Sequence, residues 1–200
     1  MKTMTGNSNF QKALNFISYV DQLKSVIRKN ALHDGSRKEN TAEHSWHGAL
    51  SAFLLAPYAN FPINADRVAK MLLIHDLIEI EAGDTFVYDT EELKIQEVAE
   101  AQAANEIFQR LPANQGEELK SLWEEFEARQ TPEAIFAKAI DRFLPIYSNL
   151  RNDGFSWQPY GIFQTQVRDL AEIIRDGSTQ LWEWVDRELT QAVKDGSLEP

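Results

Sequence analysis

Apolar residues recur at spacings of three and four along almost the whole chain, which is the period of a helix with one face turned to a core. In residues 9–29 the positions Phe10, Leu14, Ile17, Val20 and Leu23 follow it, so a helix is predicted there. Residues 31–40, ALHDGSRKEN, are polar and contain a glycine, and read as a loop. Asn40 or Thr41 can cap the next helix, with Glu43 three residues after Asn40 in a capping-box arrangement; this helix runs to about Leu55 and stops near Pro57. A third spans about Asn64 to Glu81 and ends at Gly83. Beyond the loop GDTFVYDTEE the pattern predicts helices over about 91–110 and 116–129. Thr131, Pro132 and Glu133 then supply the cap, first-turn proline and acidic first turn of another. Residues 151–161 are turn-rich, and the tail holds one long helix or two, broken near Asp176, Gly177 and Ser178. No β-alternation competes, and no repeat or linker divides the chain. The expectation is an all-α fold: one domain over 1–200, with a core over about 20–150 and C-terminal helices over about 160–195 packed on it.

Composition narrows the class. With 43% hydrophobic and 10% aromatic residues, the 200-residue chain can bury a sizeable core. The absence of cysteine excludes disulfides, thiolate zinc sites and cysteine nucleophiles, and fits a reducing compartment, so a cytoplasmic location is expected. The first thirty residues hold no apolar leader, and no uncharged run approaches the roughly 18 residues of a membrane span. A net charge of -11 repels polyanions, so neither a nucleic-acid polymer nor a membrane is an expected partner. A small phosphorylated substrate remains open where a cation sits locally.

The candidate chemistry starts in LLIHDLIEIEAGDT, residues 72–85. Val68, Met71, Leu72, His75 and Glu79 fall at i, i+3, i+4, i+7 and i+11, one helix face, and Asp76 borders it. Burying unpaired carboxylates there is costly, and a divalent cation resolves the problem, because imidazole and carboxylate are ordinary ligands for one. Two ligands hold a metal poorly. His44, held just after a helix cap, and Asp141, the carboxylate within AIFAKAIDRFLPIY (134–147), are the natural additions. Each has a plainer reading alone. His-Asp pairs recur by chance, His44 can bond to backbone, Asp141 can pair with Lys138 or Arg142, and Glu79 and Glu81 can be a solvated helix end. Together the four describe a mononuclear site. His47 is an alternative ligand one turn from His44, read instead as lying beside the site; His33 reads as solvated. Trp182 and Trp184 read as core or dimer contacts. No P-loop, dinucleotide-binding glycine turn or Ser-His-Asp arrangement is present.

The stretches ENTAEHSWHGA (39–49), HDLIEIEAGD (75–84), LWEEFEARQTPEAIFAKAIDRF (122–143) and LKSVIRK (23–29) resemble the HD-domain metal-dependent phosphohydrolase superfamily, whose pattern is H…HD…D. More narrowly they resemble bacterial 5'-deoxynucleotidases and their eukaryotic HD-domain-containing relatives. The resemblance implies that the chain is a single HD domain, with His44, His75, Asp76 and Asp141 as ligands of one divalent ion among Mn, Co, Mg, Fe, Ni and Zn. It implies Glu79 and Asp84 as the catalytic acidic groups and Arg28 as a phosphate contact, although the loop from Arg28 to His44 is one residue longer here. Arg37 is a further candidate to offset phosphate charge. The implied reaction is hydrolysis of a (deoxy)nucleoside 5'-monophosphate to nucleoside and phosphate by a metal-activated water. The alternatives are a nucleotide pyrophosphohydrolase or alarmone hydrolase on the same scaffold, and a non-catalytic metal-bound nucleotide sensor. Dinuclear relatives need extra histidines, and none follows residue 75. Thr85, Phe86, Val87 and Tyr88 replace the proline and lysine that often follow the Gly-Asp pair, which leaves base and sugar preference open. A homodimer is the implied assembly.

Overall fold

The computed structural model describes residues 7–85, 87–88 and 100–200. The first helix, α1 (Asn7–Val20), is shorter than predicted. A single 3-10 turn follows (Asp21–Ser25), and the chain then becomes extended. Strand β1 (Ile27–Ala31) pairs antiparallel with β2 (Lys38–Asn40), Ile27 opposite Asn40 and Ala31 opposite Lys38. This corrects both the helix over 9–29 and the expectation of no strand. Val26 is already extended, the β-branched Ile27 opens the strand, and Gly35, at φ 66°, turns the hairpin. The α1 stripe is also corrected: Phe10, Leu14 and Ile17 are exposed, while Phe16 and Leu23 enter the core.

Helix α2 (Thr41–Leu55) begins with the predicted capping box, in which Glu43 N–H donates to Asn40 Oδ1 (2.9 Å) and Asn40 N–H to Glu43 Oε2 (3.2 Å). Asn64 caps α3 (Ala65–Ile74). The expected continuous helix to Glu81 breaks here into a 3-10 turn (His75–Ile78) and one further turn, α4 (Glu79–Ala82), closed by Gly83 at φ 79°. Residues 100–108 are helical (α5), whereas the start of the helix predicted over 91–110 and part of the preceding loop lie outside the described residues. Helix α6 covers Ala113–Ala128, and α7 (Pro132–Arg151) starts at Thr131, whose hydroxyl accepts from Ala134 N–H at 3.2 Å.

Helix α7 is central. Phe136, Ala137, Ile140, Leu144 and Ile146 are all buried, and α2, α3, α6 and the C-terminal helices pack around it. The tail forms α8 (Gln164–Ala171), α9 (Ile173–Gly177) and α10 (Thr179–Asp195), with the break at Ser178, which caps α10. Trp182 is buried, and Trp184 packs edge-on against Phe143 at 5.9 Å, so both serve the core. The fold is an all-α helical bundle with one small hairpin. Among the described residues no helix is long and apolar enough to cross a membrane.

The α9–α7 contact is tight at one point. A Cβ on Gly177 would lie 2.5 Å from Ala139 Cβ and 3.2 Å from the Ile135 carbonyl oxygen. Gly177→Ala is therefore expected to destabilise the fold by about 1–3 kcal/mol through overpacking. Denaturant unfolding measures it, and an unchanged midpoint would show that the two helices separate at no cost.

Candidate metal centre

Three separate elements aim donors at one point. His44 lies in the first turns of α2, held by the capping box, and is 1% exposed. His75 opens the 3-10 turn after α3 and is 3% exposed. Asp141 comes from the middle of α7. One donor atom from each of these three residues lies within 4.8 Å of the others. His44 Nε2 is 3.0 Å and His75 Nε2 3.4 Å from the same Asp141 Oδ1.

The tautomer of His75 follows from its other nitrogen. Nδ1 sits 2.9 Å from the Leu72 carbonyl oxygen, which can only accept, so Nδ1 carries the hydrogen and Nε2 of the neutral ring offers a lone pair. That Nε2 is buried without a directed hydrogen bond, although Asp76 Oδ1 is 3.1 Å away. An orphaned imidazole nitrogen facing carboxylates, with its partner nitrogen fixed by a carbonyl, is the arrangement of a metal-ligating histidine. The residues fit a divalent cation.

Asp76 stands at the edge of this cluster. Its Oδ2 is 3.8 Å from His44 Nε2 and accepts a hydrogen bond from Arg28 Nη1 at 3.2 Å. The hairpin is what delivers Arg28, from β1. Its guanidinium also lies 3.4 Å from Asp84 Oδ1, 3.9 Å from Glu79 Oε1 and 3.7 Å from Glu39 Oε2. Glu79 is buried and its Oε2 accepts from Thr41 Oγ1 at 2.9 Å.

The charges are out of balance. Burial, then the neighbouring Asp76 carboxylate, holds Glu79 well above the usual carboxylate range. Burial likewise raises Asp84, and raises Glu39 to about 7. Burial and the Arg28 charge lower His44 to about 4, so it is neutral near pH 7. For His75 burial pulls downward, yet Asp76 and Asp141 outweigh it and the net shift is upward. Burial would raise Asp141, but Lys138, at 2.9 Å, and the two imidazoles hold it well below its ordinary value. A bound divalent cation would relieve this crowding of carboxylates.

The cluster opens on a cavity of about 320 Å³, within the range of small-molecule sites, lined by Arg28, His75, Asp76, Glu79, Asp84 and Asp141 among others. Other candidates fall elsewhere. Arg37 is exposed and forms a bidentate ion pair with Glu43, which corrects its assignment to the phosphate. His47 stacks on Trp46 and lies beside His33, whose exposed ring in turn meets Tyr147 edge-on. Sequence reasoning assigns no part in the site to Glu39, Thr41 or Arg142, naming Thr41 only as a candidate cap and Arg142 only as a possible partner of Asp141. The first two lie in the quoted ENTAEH stretch, and Arg142 is a charge beside Asp141 in an apolar helix.

Fold and site define a class first: a helical-bundle protein with a buried His/Asp cluster that can hold a metal, set in a substrate-sized cavity. Residues 20–182 match the family described as HD domain, and the chain belongs to that family. A crystal structure of a predicted metal-dependent phosphohydrolase from Magnetospirillum magnetotacticum MS-1 superposes with a TM-score of 0.93 at 42% identity over 98% of both chains. The human 5'-deoxynucleotidase HDDC2 is 32% identical over 130 residues, 64% of this chain and 62% of that protein. The Schizosaccharomyces pombe 5'-deoxynucleotidase hdd1 is 33% identical, over 68% of this chain and 71% of that protein.

Proposed function

We propose that the chain is a metal-dependent phosphohydrolase that converts (deoxy)nucleoside 5'-monophosphates to nucleoside and phosphate. The observation that carries the reading is the three-donor cluster with the orphaned His75 Nε2, next to a cavity that also holds an arginine. The substrate class comes from the two 5'-deoxynucleotidases above. His44, His75 and Asp141, with Asp76 at the edge, would hold the ion. When bound, it would supply Lewis acidity and positive charge beside the carboxylates of the cavity. Arg28, oriented by Asp76 and Asp84, faces the phosphate. Glu79, fixed by Thr41, is placed to hold a proton for the leaving oxygen. Asp84, just past the turn at Gly83, is placed to accept a sugar hydroxyl. The cysteine-free chain fits a cytoplasmic location, and the exposed Trp46, Leu50, Phe53 and Leu54 on α2 give a homodimer a candidate face.

The test is phosphate release from a panel of 5'-monophosphates with Mn²⁺, Co²⁺ or Mg²⁺. Release from at least one nucleotide, abolished by chelator, is expected. Pyrophosphate release from triphosphates instead would move the reading to a pyrophosphohydrolase, and nucleotide binding without release would make the protein a sensor.

A further inference from the structure

The cations of the cavity are unequally committed. Arg28 faces Glu39, Asp76, Glu79 and Asp84, so its charge is already outnumbered by carboxylates. Lys138 is paired with Asp141 at 2.9 Å. Arg142 differs. It lines the same cavity, and among the described residues its guanidinium is in no ion pair and no hydrogen bond, although the neighbouring Asp141 carboxylate acts on it. Its Nε is buried and unpartnered. A guanidinium with a buried, unpartnered Nε at the wall of a cavity has donors to offer a ligand that brings the counter-charge.

We propose that Arg142 is a substrate-binding residue that grips the phosphate of the nucleotide from the α7 side of the cavity. The assignment rests on the phosphohydrolase reading. Its geometry is simple: Arg142 follows Asp141 directly on α7, so its fork of donors starts one residue from the metal cluster. Guanidinium donors suit phosphate oxygens, which are charged and spaced for paired hydrogen bonds. The cavity also continues along Trp157, which suggests a base or sugar end, and a base carbonyl is the competing ligand for Arg142.

Calorimetric titration of Mg²⁺-loaded protein with inorganic phosphate, and separately with deoxyadenosine, decides between them, using Arg142→Met and Arg142→Lys. Phosphate binding at least about tenfold weaker in Arg142→Met, partly recovered in Arg142→Lys, with deoxyadenosine unaffected, is expected. The melting temperature of Arg142→Met should equal or exceed that of the parent, because methionine fills the space without a buried unpartnered donor. Unchanged phosphate affinity overturns the assignment, as does loss confined to deoxyadenosine, absence of phosphate binding to the parent, or a lowered melting temperature with no recovery in Arg142→Lys. Phosphate bound through Arg142 without hydrolysis of any monophosphate would instead sink the phosphohydrolase reading alone. Monophosphate hydrolysis with unaltered KM in Arg142→Met would sink this assignment alone.

Discussion

His75→Ala is expected to lose the bound divalent ion and to lower phosphate release by about a thousandfold or more, the rate equivalent of several kcal/mol of charge stabilisation. The imidazole is fixed at both ends: the Leu72 carbonyl oxygen sets its tautomer at 2.9 Å, and Nε2 faces Asp76 and Asp141 at 3.1 and 3.4 Å with no hydrogen bond. Alanine removes the imidazole whose Nε2 is buried with no hydrogen-bond partner in the fold. Asp141→Asn should act in the same direction, because Asp141 Oδ1 is the atom both histidines approach. Elemental analysis of the purified variants reads the first effect and steady-state phosphate release the second. A His75→Ala protein that keeps a full complement of metal would show that the cluster is not the metal site.

Why were these donors legible in the sequence? His75 and Asp141 interrupt runs that are otherwise apolar, and an ionisable side chain in such a run needs a partner wherever the helix packs. His44 follows a cap whose chemistry is local, Asn40 with Glu43, so its rigid placement could be read from adjacent residues. The hairpin was not legible for the converse reason. IRKNA has no period-two alternation, and its pattern of exposed, half-buried and buried positions is imposed by the bundle above it. The stripe on α1 shows the same limit: periodicity locates an apolar face but does not say what covers it, and Phe10 and Ile17 are exposed. Nor does LIHDLI signal that α3 tightens into a 3-10 turn at His75. Arg142 escapes because an arginine in an apolar helix ordinarily extends its head to water, and only the packing around Nε shows that this one has a donor buried without a partner.

Glu79→Gln separates holding the metal from moving the proton. Glu79 lies outside the three-donor cluster, so the ion is expected to stay at parental occupancy. Glutamine preserves the size of the side chain and the acceptor that Thr41 Oγ1 now meets at 2.9 Å, yet it cannot give up or take a proton at that place. Loss of a positioned acid or base costs about 100- to 10,000-fold, and phosphate release should fall within that range with KM little changed. Stability should not fall with it. The Glu79 carboxyl is buried beside Asp76, so a neutral amide at the same position removes like-charge repulsion rather than a favourable pair; the Arg28 guanidinium is 3.9 Å away and keeps its closer bond to Asp76 at 3.2 Å. Metal analysis, a thermal melt and kinetics on one preparation therefore give three readings. Rate loss alone assigns the proton to Glu79, rate and metal lost together make Glu79 a ligand, and an unchanged rate places the acid elsewhere in the cavity, with Asp84, 3.4 Å from the same arginine, the next residue to replace.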